Sequence, residues 1–186
     1  MKTLSKQYNE HGLKWGIIQF LIVGVLFYVL YFVNLRFAVT SGMWVTLPIS
    51  ISILVIQGVQ ARKFNNGALS YGEAFRTLFI ASVISSALFT TTNFLVKTTN
   101  PAFAEEEQAI TIEKTAERMA GWGMDDDKID EAIEKMEEKD ARPSIFDSII
   151  FFVASSIFST LLILIIAIFV KKKPVEKVIV VDNSTT

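Results

Sequence analysis

The sequence predicts an all-α fold: an integral membrane bundle of four transmembrane helices, with an acidic helical hairpin outside the membrane between the third and fourth. Three observations predict it. Four uncharged runs, at residues 15–35, 37–61, 77–96 and 148–170, each pass the roughly 18-residue threshold for a bilayer-crossing helix. Between residues 98 and 146 there are 14 acidic against 6 basic side chains, although the whole chain carries a net charge of only −1. A Ser-x-x-acid capping box, Ser70 with Glu73 and Ser144 with Asp147, stands just before each of the last two runs.

Residues 1–14 are polar and basic, with Lys2, Lys6 and Lys14. The apolar run that follows is too long for a signal peptide and lacks a small-residue cleavage site. The segment is therefore expected to be a cytoplasmic lead-in to an uncleaved first span at 15–35. Trp15 at its start and Tyr28 and Tyr31 near its end suit the membrane interfaces. His11, the single histidine, is expected to be solvated.

Arg36 is the only charge between the first two runs, which predicts a tight antiparallel pair. In the second span, 37–61, Thr40-Ser41-Gly42 reads as loop and cap, placing the helix start near Met43. Pro48 then falls in the early turns, where its missing N–H costs little; an earlier start would make it a kink.

Residues 62–76 form a basic loop with a turn at Asn65-Asn66-Gly67 and the first capping box. In that box the Ser70 hydroxyl accepts from the Glu73 N–H and the Glu73 carboxylate accepts from the Ser70 N–H. The third span, 77–96, is the least apolar, with Ala81, Ser82, Ser85, Ser86 and Ala87. Small residues let membrane helices approach closely, so the other spans are expected to gather around it.

Residues 97–147 make the acidic hairpin. Asn100 is a helix N-cap and Pro101 the first helical residue. Glu105, Glu106 and Glu107 then lie near the positive end of the helix dipole. Ile112, Ala116 and Met119 form a stripe, Gly121-Trp122-Gly123 breaks the helix, and Asp125 or Asp126 caps a second one bearing Ile129, Ile133 and Met136. The fourth span, 148–170, is the most apolar, and Lys171-Lys172-Lys173 stop it. Residues 171–186 read as a polar cytoplasmic tail, with a short extended patch at 178–181.

Basic residues near the spans set orientation. Lys6, Lys14, Arg62, Lys63, Arg76 and the Lys171 cluster fall on one side, against Arg36, Lys97 and Arg142 on the other. Both termini are thus expected in the cytoplasm and the hairpin outside.

There are no cysteines, which excludes disulfides and thiolate chemistry. The acids from Asp125 to Glu131 lack the alternating ligands and sixth-position glycine of an EF-hand loop. No phosphate loop, nucleophile elbow or zinc spacing occurs, and scattered basic residues argue against nucleic acid. Within the runs the larger polar residues are Gln19, Gln57 and Asn93, none of them ionisable, which counts against a proton-coupled pump. Gln19 and Gln57 fall near the level of Glu73 and Arg76. Those four are expected as a buried polar cluster, a structural lock or alternatively a substrate site.

Three stretches resemble a family of small bacterial membrane proteins, domain of unknown function 4199. They are Gly67-Ala68-Leu69-Ser70-Tyr71-Gly72-Glu73-Ala74-Phe75, Asn100-Pro101-Ala102-Phe103, and Gly123-Met124-Asp125-Asp126-Asp127-Lys128-Ile129-Asp130-Glu131-Ala132. With the span spacing, the resemblance covers roughly residues 14–173. It implies a multi-pass protein of the bacterial cytoplasmic membrane and supplies no catalytic residues.

The function read from these features is that of a non-enzymatic accessory or scaffold protein, without cofactor or metal. It would assemble with itself or a membrane complex through small-residue faces such as Ser82 and Ser86. Trp122, at the hairpin bend, folds back on the seam, dips into the membrane interface or anchors a partner, a basic protein being favoured over lipid. The alternative is a small oligomeric transporter or channel subunit, for which Ser82, Ser85, Ser86, Thr90 and Asn93 would be the polar stripe. Orientation is directly testable in this cysteine-free chain. Among single variants Ser5→Cys, Ala109→Cys and Ser184→Cys, an impermeant thiol reagent should label only the second in intact cells; labelling of the terminal pair instead would invert the topology.

Overall fold

The computed structural model describes residues 3–174. Along them run α1 (Leu4–Gln19), a π-helical segment (Phe20–Gly24), α2 (Val25–Val33), α3 (Leu35–Ala61), α4 (Tyr71–Thr99), α5 (Pro101–Gly121), α6 (Asp126–Glu137) and α7 (Ile145–Val170). Four continuous stretches, Leu4–Val33, Leu35–Asn65, Tyr71–Thr99 and Ile145–Val170, are long and apolar enough to cross a membrane, the third the least apolar and the fourth the most. Their outer faces carry large exposed apolar side chains, Phe151, Ile157, Phe158, Leu161 and Phe169 among them on α7. Contiguous apolar surface of that kind needs an apolar surround, which a bilayer supplies.

The bundle is built on α4, against which α1 and α7 pack most extensively. The closest approach comes from α1. A Cβ added at Gly12 would lie 2.8 Å from the Thr77 carbonyl oxygen, and one at Gly16 would lie 2.6 Å from that of Ala81. The backbones meet because these positions have no side chain, the small-xxx-small device of membrane helix pairs.

This corrects the reading of residues 1–14 as a lead-in. From Leu4 they are helix, and Tyr8 is 1% exposed. Lys and Glu favour helix, so a charge marks where a hydrophobic run ends, not where the helix ends. Lys6 and Lys14 point outward while Tyr8, Gly12 and Gly16 form the packed face.

The second span also begins earlier than read. Asn34 is the only residue between α2 and α3, and its Oδ1 accepts from the Phe37 N–H at 2.9 Å, capping α3. Thr40 and Thr46 are absorbed into the helix by bonding back to the Arg36 and Gly42 carbonyls, at 2.8 and 3.0 Å. Pro48 therefore lies well inside α3 and not near its start. Its ring leaves the Trp44 carbonyl without the usual i+4 donor. Helix persists on both sides because, in hydrocarbon, any wider break would strand more backbone groups.

Both expected capping boxes form, Ser70 with Glu73 opening α4 and Ser144 with Asp147 opening α7. The turn before α4 uses Asn66 at φ 49° and Gly67 at φ 88°. The loop then holds the far end of α7. Leu69 and Lys172 exchange backbone bonds of 2.8 Å each way, and Arg62 Nε donates to the Val170 carbonyl at 3.0 Å. Carbonyls at a helix C-terminus have no partner of their own, and this loop supplies donors. Gly58 of α3 lets the same residue close in: a Cβ there would sit 2.8 Å from Val170 Cγ2. The expected patch at 178–181, and most of the expected tail, lie outside the described residues.

Gly16→Ala should lower the thermal midpoint in detergent, by about 1–3 kcal/mol of overpacking. Gly72→Ala should be near neutral, because a Cβ there meets nothing within 4 Å. Equal midpoints for the two variants would show that α1 and α4 are not in backbone contact.

Candidate functional site

Polar groups gather at two levels of the bundle. At the end where the chain begins, the His11 ring donates through Nε2–H to the Gln57 carbonyl at 3.1 Å. The Gln57 amide nitrogen donates to the Thr77 carbonyl at 2.9 Å, and the Thr77 hydroxyl to that of Tyr8 at 3.1 Å. Gln57 and Thr77 are both fully buried. The chain of bonds thus joins α3 to α1 and α4, and α4 back to α1. His11 is not the solvated residue expected from the sequence; it is half-buried, with its ring edge-on to Phe64 at 5.1 Å.

The cluster differs from the one expected. Gln57 is in it, but the Glu73 carboxylate is taken up by the Ser70 N–H and hydroxyl at 2.8 and 2.7 Å, and Arg76 is exposed. Gln19 sits about two turns further along α1 than His11. It is 8% exposed, at the level of buried Ser82. The register of α1 on α4 decides this: Gly12 faces Thr77 and Ile80, and Gly16 faces Ala81 and Ile84. The Ser86 hydroxyl bonds that of Ser155 at 2.8 Å, tying α4 to α7. Asn93 is half-buried on the last third of α4.

At the opposite end α5 lies against α2, α3 and α4. The Tyr31 hydroxyl donates to Glu107 Oε2 at 2.7 Å, and Lys97 Nζ bonds Glu107 Oε1 at 2.8 Å. Tyr31 stacks on Phe103 with ring centres 5.7 Å apart. Arg36 grips Glu113 through its two terminal guanidinium nitrogens, Nη1 donating at 2.9 Å. Such a fork-on-carboxylate pair fixes orientation as well as distance. Gln108 Nε2 donates to the Met136 and Lys139 carbonyls at 2.6 and 2.8 Å, so α5 holds the end of α6. Trp122 lies at the bend between them, 73% exposed, beside Gly123 at φ 72°.

Sequence reasoning missed two features here. Gly12 and Gly16 have the G-x-x-x-G spacing, but Gly12 falls in the segment read as outside the span and Gly16 at the start of the span, so the pair straddles the expected boundary. The Arg36–Glu113 and Tyr31–Glu107 pairs join residues more than 70 positions apart, and no local pattern marks them. Among the described residues, no group of three or more His, Asp or Glu side chains could hold a metal ion.

A family model described as a protein of unknown function, DUF4199, matches residues 14–172. No curated protein and no solved structure matches the chain.

The Glu113 carboxyl is held below its usual range by its hydrogen bond to Arg36, which outweighs partial desolvation. A depressed carboxylate contributes stability above its unfolded pKa and loses it as pH falls through the folded one. Amide protection across the middle of α5, around Glu113, should therefore drop on acidification below the ordinary glutamate range. In Glu113→Gln protection should be lower at neutral pH, with a smaller acid-side loss. Superimposable pH profiles from hydrogen exchange would remove the pair from the docking of α5.

Proposed function

The chain belongs to the DUF4199 family, and we propose that it acts as a non-enzymatic accessory or scaffold protein of the bacterial cytoplasmic membrane. In this reading both termini are cytoplasmic, the spans are the anchor, and α5 with α6 forms an acidic recognition arm outside the bilayer. The observation that carries it is Trp122, a large apolar side chain 73% exposed at the far end of an arm whose root is fixed by Arg36–Glu113 and Tyr31–Glu107. Trp is favoured as an anchor at protein interfaces, and a rooted arm loses little freedom when it binds. Met124, 37% exposed, widens the apolar tip.

The charge of the arm selects the partner. Asp125, Asp126, Asp127, Asp130 and Glu131 surround the start of α6. That field repels anionic lipid headgroups and draws a basic protein surface.

A photoreactive residue replacing Trp122 in intact cells tests the reading. One discrete protein adduct is expected, lost when Asp126, Asp127 and Asp130 are changed together to lysine. Adducts to lipid alone, or a protein adduct indifferent to the charge reversal, would refute the acidic-arm mechanism. Recognition would then lie in the spans, as in the subunit of a small oligomeric transporter.

A further inference from the structure

On the flank of the bundle, α4 and α7 enclose a slot of about 300 Å³. Its walls are Ala87, Thr90 and Phe94 from α4 and Ile145, Ile149 and Phe152 from α7. The spacing puts each set on one face of its helix. Thr91 and Ser148 also line the slot, but their hydroxyls bond back to the Ala87 and Ser144 carbonyls, and the Thr90 oxygen is buried. What the slot presents is therefore carbon. It has a floor as well, because next to Ala87 the Ser86 hydroxyl meets that of Ser155 at 2.8 Å and ties the two helices. From Ala87 to Lys97 the rise along α4 is about 15 Å, half of the roughly 30 Å hydrocarbon core. The slot thus runs the depth of one leaflet, and its exposed rim, Ile145 and Ile149, faces the bilayer.

A second space of about 310 Å³ stands at the headgroup end, beneath α5 and α6. Lys97 enters it one turn beyond Phe94 on the same α4 stripe, and Pro143 and Asp147 flank Ile145 in the chain. Two ammonium groups, Lys97 and Lys139, and three carboxylates, Glu107, Asp140 and Asp147, line this chamber. Lys97 bonds Glu107 at 2.8 Å and Lys139 bonds Asp147 at 2.7 Å. Each ammonium has three donors, so both keep capacity for a further acceptor.

We propose that slot and chamber together hold one phospholipid whose headgroup carries both a phosphate and a primary ammonium. One acyl chain fills the slot, the phosphate accepts from Lys97 and Lys139, and the ammonium donates to the carboxylates. Charge complementarity selects that headgroup. A purely anionic one would meet three carboxylates against two ammonium groups, and a quaternary ammonium has no N–H to donate. The lateral opening lets the lipid enter from the bilayer, while the Ser86–Ser155 floor limits how deep its chain descends. The site lies at the root of the arm and does not involve Trp122, so it stands or falls apart from the partner-binding role of the tip.

The full-length protein in nanodiscs of equal phosphatidylethanolamine, phosphatidylcholine and phosphatidylglycerol tests it, by native mass spectrometry of the protein released from the disc. One retained phosphatidylethanolamine is expected, well above its share of the disc. Ala87→Phe, which fills the foot of the slot, should abolish retention; Thr91→Phe, from the exposed side, serves the same purpose if Ala87→Phe does not insert. Lys139→Gln, at an exposed position, should keep a bound lipid but lose the headgroup preference. Lipids retained in the proportions of the disc would be ordinary boundary lipid and overturn the proposal. So would no retained lipid, a preference for phosphatidylglycerol or phosphatidylcholine, retention unchanged in the slot-filling variant, or a preference unchanged in Lys139→Gln.

Discussion

Two glycines one turn apart, Gly12 and Gly16, bring the backbone of α1 against the backbone of α4, and the positions of most other groups follow from that contact. With Cβ-to-carbonyl clearances of 2.8 and 2.6 Å, no other side chain fits, so the register of the two helices is fixed. That register sets the Thr77 hydroxyl beneath the Tyr8 carbonyl and lets His11 reach α3 through the Gln57 carbonyl. It also carries Gln19 past this cluster to the level of Ser82. α7 takes the remaining side of α4, and the loop at Arg62 and Leu69 holds its last turn.

The interior of the bundle shows how polar groups are accommodated where water is scarce. Gln57 uses its amide nitrogen and its backbone carbonyl to join three helices. Thr40, Thr46, Ser52 and Thr92 instead bond back to their own helix, which hides the hydroxyl without committing it to a neighbour. Membrane hydrogen bonds between helices average only about 0.6 kcal/mol, so their main effect is to choose one arrangement among several of similar packing energy.

α5 and α6 have a different physical basis. Their seam is thin: Ile110 and Ile129 are buried, while Ile112, Met119, Ile133 and Met136 are only half-buried. A helix pair of this size would be marginal alone. Its stability is borrowed from the bundle, through Phe103 on Tyr31 and Phe32 and through the ion pairs of Glu107 and Glu113. The apolar surface that this arrangement leaves uncovered is concentrated at Trp122, farthest from the root.

By itself the sequence determined the all-α class, the four membrane-length helices, both capping boxes, the Asn65–Gly67 turn, the Asn100-Pro101 start and the Trp122 break. The helices depend on long uncharged runs, and the caps, turn, start and break on residues within about one turn of each other, where chain geometry leaves few alternatives. The tertiary structure alone decided how far α1 and α3 extend, because helix continues through Lys14 and across Thr40-Ser41-Gly42 when packing and back-bonding support it. It alone decided which polar residues meet. Gln57 found Thr77 and His11, whereas Arg76 stayed at the surface and Glu73 remained with its cap. Periodicity tells which face of a helix is polar, but the axial offset between two helices is set by where their backbones can touch. Here that offset is set by Gly12 and Gly16 against Thr77 and Ala81, a match between surfaces more than 60 residues apart in the chain.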